Sequence, residues 1–97
     1  MSVPFSARLT AGESVVISIF SDGESVLLNL ETEYYFGLND SGTLMWRRLT
    51  SAPTIEAAYS SLLGDFTMIS PDELRVDLAE LVEQLLENRL VKLESDG

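Results

Sequence analysis

The sequence predicts an α+β domain: a winged helix-turn-helix-like arrangement in which a three-stranded antiparallel sheet is followed by three α-helices. Three observations predict it. Between residues 14 and 38 the apolar residues recur at a strand-like period, interrupted by Asp22-Gly23 and by Glu31-Thr32-Glu33. After Asn39 the period changes to near 3.6 and stays there almost to the end. The 97 residues, 45% of them hydrophobic, are enough for one modest core and too few for two.

Taken in order, Val3 to Leu9 reads as an edge strand or an extended arm, because Pro4 has no N–H to give a central strand. Thr10-Ala11-Gly12-Glu13 reads as a turn. Val15 to Phe20 is β-branched and apolar, the composition of a strand over about residues 14–20. Asp-Gly at 22–23 is a hairpin signal. In the strand over 25–30, Val26, Leu28 and Leu30 alternate with Leu27 and Asn29, which predicts that the first three face the core. Tyr34-Tyr35-Phe36 favours a third strand over 33–38. Parity puts Tyr34, Phe36 and Leu38 on one face, with Tyr35 and Gly37 on the other. Tyr34 and Phe36 belong to the core on that parity, or to a groove if the sheet twists there.

Asp40 or Ser41 can cap a first helix over 41–49, with Leu44, Met45 and Leu49 at helical spacing and Trp46 in the core. Ser51-Ala52-Pro53 breaks it. Thr54 caps a second helix that sets Ile55, Ala58, Tyr59, Leu62 and Leu63 on one side, with Gly64 as its C-cap. Asp65 to Ile69 reads as a loop with Phe66 and Met68 tucked beneath. Ser70-Pro71-Asp72-Glu73 combines an N-cap serine, a proline at the first helical position and a glutamate three after the serine. The third helix runs from there to about Asn88. Val91 to Glu94 alternates again and can add a short strand, and Ser95-Asp96-Gly97 reads as a frayed tail.

Sixteen acidic against six basic residues give a net charge of −10. Such a chain repels phosphate backbones and anionic membranes, so neither nucleic acid nor membrane is an expected partner. From Ile55 to Asn88 the only basic residue is Arg75, too little for a DNA-reading helix pair. There is no cysteine and no histidine, which removes thiolate and imidazole chemistry together. The acidic pairs have the spacing of a solvated helix face, and no cofactor or phosphate-loop fingerprint occurs. No enzyme activity, metal or cofactor is expected. The start of the chain lacks a basic region followed by an apolar run, and no segment is apolar over a membrane-spanning length, so a cytoplasmic protein is expected.

On a helical wheel, Leu74, Leu78, Leu81, Val82 and Leu85 form one apolar stripe of the third helix. Arg75, Ala79 and Leu86 widen one flank of it, while Glu80, Glu83, Glu87 and Val76 lie opposite. The wide flank either packs on a neighbouring element or lines a groove for another chain. The edge strand Tyr34 to Leu38 offers unpaired backbone groups to an extended peptide.

The run LLNLETEYYFGLNDSGTLMW, a Pro-Thr-Ile-Glu-Ala helix start, Asp77-Leu78 and Leu81…Leu85-Leu86…Leu90-Val91 together resemble PqqD-like proteins, over about residues 14–94. Leu38-Asn39 after the third strand, and Gly42 ahead of Met45-Trp46, carry much of the likeness. The resemblance implies a recognition domain for ribosomally made, post-translationally modified peptides. In that family the leader segment of the precursor adds as an antiparallel strand to the third strand, here Glu33 to Leu38, and lies against the third helix, here Asp72 to Asn88. YYFGLN and Trp46 look closest to the small B1-type subunits of lasso-peptide pathways, which work with a separate leader peptidase resembling a cysteine protease. A pyrroloquinoline quinone chaperone serving a radical-SAM enzyme, or a permanent docking subunit of an enzyme, is the alternative.

On this reading the backbone groups of Glu33, Tyr34, Tyr35 and Phe36 pair with the leader. Arg75, Ala79, Val82 and Leu86 form the groove wall. Glu80 and Glu83 at the rim favour a leader carrying Lys or Arg. Leu74, Leu78, Leu81 and Leu85 belong to the core with Val26, Leu28, Leu30 and Trp46.

Overall fold

The computed structural model describes residues 3–94, so the tail expected at Ser95-Asp96-Gly97 lies outside the described residues. The chain runs β1 (Arg8–Ala11), β2 (Val15–Ile19), β3 (Ser25–Asn29), β4 (Tyr34–Leu38), α1 (Asp40–Ser51), α2 (Ile55–Asp65), α3 (Pro71–Glu87) and β5 (Val91–Glu94). The antiparallel meander β2-β3-β4 precedes the three helices, the α+β class that the change of period predicts. A second, two-stranded sheet joins β1 to β5, with Arg8 opposite Glu94 and Ala11 opposite Val91. β1 thus continues through Ala11, where the sequence suggests a turn, because β5 supplies a partner for its backbone groups.

The face that β3 turns inward is a correction to the sequence reading. Ser25, Leu27 and Asn29 are buried, Val26 and Leu28 are half-buried, and Leu30 is 57% exposed. Two polar residues on the inner face mask its burial in the sequence, and both have partners there. The Ser25 and Thr43 hydroxyls share a 2.7 Å hydrogen bond. The Asn29 amide donates to the Arg89 carbonyl at 3.0 Å and its oxygen accepts from the N–H groups of Glu31 and Thr32.

Local chemistry fixes the helix starts. Asn39, rather than Asp40 or Ser41, caps α1 by accepting from the Gly42 N–H at 2.7 Å. Thr54 accepts from Ala57 at 3.0 Å, and Ser70 from Glu73 at 3.1 Å with Pro71 opening α3. The segment ahead of β1 supplies further acceptors at the start of α2: Ile55 and Glu56 donate to the carbonyls of Ala7 and Phe5 at 2.9 and 2.8 Å. α1 extends to Ser51 and α2 runs through Gly64 to Asp65, with Phe66 as C-cap in place of Gly64. In the following loop Phe66 packs against the core and Met68 is exposed, against the expectation that both tuck under.

Leu9, Leu27, Trp46, Leu49, Ile55, Leu62, Leu74, Leu78, Val82, Leu85 and Leu90 meet between the inner face of the sheet and the helices. Removing side chains of this kind from water, at about 25 cal/mol per Å² of apolar surface, is what holds the layers together. No helix among the described residues is long and apolar enough to cross a membrane.

Candidate functional site: a cleft between an open strand edge and the third helix

Among the described residues β4 pairs with β3 on one side only, with Leu27 opposite Phe36 and Leu28 opposite Tyr35. The direction of its free backbone groups follows from ladder alternation. Leu30 donates to the Ser14 carbonyl and Phe20 to the Glu24 carbonyl, so even-numbered residues of β3 face β2 and odd-numbered ones face β4. Tyr34, Phe36 and Leu38 therefore use their backbone groups on β3. Tyr35 and Gly37 turn theirs to the open edge.

This sorts the four residues expected at the edge. Tyr35 is placed as expected, and Gly37 is an addition. The backbone groups of Tyr34 and Phe36 are turned away from the edge. Glu33 gives its N–H to the Asn29 carbonyl at 2.7 Å, with φ of 65° closing the β3–β4 turn. A residue that satisfies a turn from the left-handed region has no N–H left for a ligand.

Beside the open edge lies a cleft of about 530 Å³ between β4, the start of α1 and α3. Phe36, Leu38, Met45 and Leu81 give it an apolar floor, and Asp77, Glu80 and Gln84 stand along the α3 side. A Cβ added at Gly37 would project from the Tyr35 face of the sheet and meet nothing within 4 Å, so that face is uncovered beside the edge. Among the described residues no basic side chain lines the cleft.

The helix is the expected one and the flank is the other one. Val82 has 0% exposure and belongs to the core, so it forms no groove wall. Arg75 lies across the helix from the cleft. Its guanidinium donates to both Glu56 carboxylate oxygens at 3.1 and 3.3 Å and sits 4.1 Å above the Phe5 ring and 5.1 Å from the Tyr59 ring. The hydrogen bond to Glu56 raises its already high pKa further. Ala79 and Glu83 are half-buried and do not line the cleft. Leu86 borders a different pocket, of about 300 Å³, with Val15, Asn29 and Arg89.

Of the expected α3 residues only Glu80, given a rim role, borders the cleft. Asp77, Leu81 and Gln84 complete that wall. A signal for them exists in the sequence: Asp77, Leu81 and Gln84 recur at i, i+4 and i+7, one row beside the core stripe. The wide apolar flank is the stronger signal, and that flank is satisfied internally.

The family model for coenzyme PQQ synthesis protein D (PqqD) matches residues 24–91. Two solved structures are similar to the chain. One is TbiB1 in complex with the TbiA(beta) leader peptide, 25% identical, with a TM-score of 0.78 over 90% of this chain and 99% of that one. The other is a lasso peptide synthetase B1 complexed with the leader peptide, 24% identical, with a TM-score of 0.72 over 90% of this chain and 98% of that one; it speaks to the fold alone. No curated protein matches the sequence.

Proposed function

The chain belongs to the PqqD family, and from that premise we propose that it is a B1-type recognition domain, which binds the leader segment of a ribosomally synthesised precursor peptide in lasso-peptide biosynthesis. The observation that carries this reading is the open edge of Tyr35 and Gly37 beside an apolar cleft with an acidic rim. A leader running antiparallel to β4 pairs with the N–H and C=O groups of those two residues. Every second leader side chain then points towards Leu38, Met45 and Leu81, and the others point to the opposite face of the sheet. The hydrogen bonds fix direction and register, at a net of about 0.5–1.5 kcal/mol each, and the apolar side chains supply most of the affinity. Asp77 and Glu80 steer a leader carrying Lys or Arg and disfavour an acidic one.

The role is recognition and not catalysis. The chain is a single recognition domain with its core over about residues 14–94; in the cytoplasm it hands the bound leader to a separate enzyme. In the lasso setting that enzyme is a cysteine-protease-like leader peptidase. The similar solved structure that is 25% identical carries a leader peptide, which supports the first half of this reading.

The test is a fluorescence polarisation titration of a labelled leader, taken from the precursor encoded beside this gene. Saturable binding at micromolar Kd or tighter is expected for the wild-type protein. Leu81→Glu, on the half-buried cleft wall, should lower affinity at least about tenfold while helical circular dichroism is retained. Equal binding by the variant would remove the cleft from the mechanism.

A further inference from the structure

The sheet has a second exposed surface that strand addition does not use. Register places Val16, Leu28 and Tyr35 side by side across β2, β3 and β4, on the face away from the helices. Val26 lies beside Leu28 on that face, and Phe20 and Leu30 continue its parity at the strand ends. Val16 is 48% exposed and Tyr35 74%, and among the described residues no element packs over this row. The inner-face neighbours Val15, Ile17 and Phe36 do pack on the core. An apolar sheet face left in water is a place where another surface docks.

Charge says what kind of surface. Between Arg8 and Arg47 the chain contains Glu13, Asp22, Glu24, Glu31, Glu33 and Asp40, and no lysine or arginine. Asp22 and Glu24 lie at one end of the sheet, Glu31 and Glu33 at the other. Two copies placed face to face would bring these acids together with no cation to separate them. A different protein, with an apolar patch bordered by Lys and Arg, meets both the row and its ends.

The face is also continuous with the open edge: a strand added to β4 extends it by one strand, and half of that strand's side chains join it. A protein docked there leaves the cleft free and sits beside the bound peptide. We propose that the outer face of β2-β3-β4 is the docking surface for the enzyme that processes the bound leader, through an apolar patch with a basic border. This rests on the leader-recognition reading above and adds to it the surface used and the chemistry of the partner.

The test uses the full chain, the labelled leader and the purified leader peptidase encoded with it. Val16 lies two strands, or about 10 Å, from β4 and cannot touch an added strand. Val16→Glu and, separately, Phe20→Ser should bind the leader as the wild type does and lose affinity for the peptidase by about tenfold or more. Peptidase binding at wild-type strength by both variants overturns the proposal. So does a wild-type homodimer in sedimentation that Val16→Glu dissolves, since the face would then serve a second copy. Failure of the wild type to bind the leader would instead sink the recognition role, and the peptidase titration, run without leader, would still decide the docking face.

Discussion

Asn29 shows how one polar side chain sets the geometry of the cleft. It ties the β3–β4 turn to the end of α3 by accepting from Glu31 and Thr32 and donating to the Arg89 carbonyl. Replacing it with Ala strands those groups, at a cost of about 1–3 kcal/mol. Asn29→Ala is expected to lower the stability in urea unfolding by that amount and to weaken leader binding, because β4 loses its fixed distance from α3. Unchanged stability would mean that water replaces the amide. The same residue explains why the inner face of β3 is hidden in the sequence. Leucines occupy both parities of that strand, and alternation decides its face only when the polar residues lie outside. Here Ser25 and Asn29 lie inside with partners contributed by Thr43 and Arg89, more than a dozen residues away in the chain. Arg75 misleads for a related reason: its partners Phe5, Glu56 and Tyr59 come from two distant segments that no helical wheel contains.

At the scale of the element, starts are easier to read than faces. The caps Thr54 and Ser70, with Pro71 and Glu73, act within four residues, so the sequence alone carries them. Which flank of α3 borders the cleft depends on how the helix is rotated against β4, and packing of Leu74, Leu78, Val82 and Leu85 sets that rotation. On β4 the outward N–H of Gly37 can be removed without disturbing β3. Proline is tolerated on an edge strand whose N–H faces solvent. Gly37→Pro is therefore expected to retain most of the stability while leader affinity falls about tenfold, the loss of one backbone hydrogen bond and a clash with the incoming strand. Wild-type affinity in that variant would show that the leader does not pair along this edge.

For the whole molecule, the net charge of −10 disfavours a phosphate-reading surface and favours cationic partners, and this is legible from composition. It predicts a mild salt response. Two carboxylates border the cleft while its floor is apolar, so raising salt from about 0.05 to 0.5 M should weaken leader binding only a few-fold. A steep loss would make charge, and not the apolar floor, the source of affinity.

The pairing of β1 with β5 also has a mechanical side. Arg8 lies opposite Glu94, and the pairing runs inward to Ala11 opposite Val91. Force applied at Arg8 and Glu94 therefore loads the outermost pair first, and the bonds open in succession like a zip. The β2-β3-β4 sheet and the cleft lie inside that fastening. Tugged at those two residues, the protein would yield at the clasp under low force while the peptide-binding half still stood.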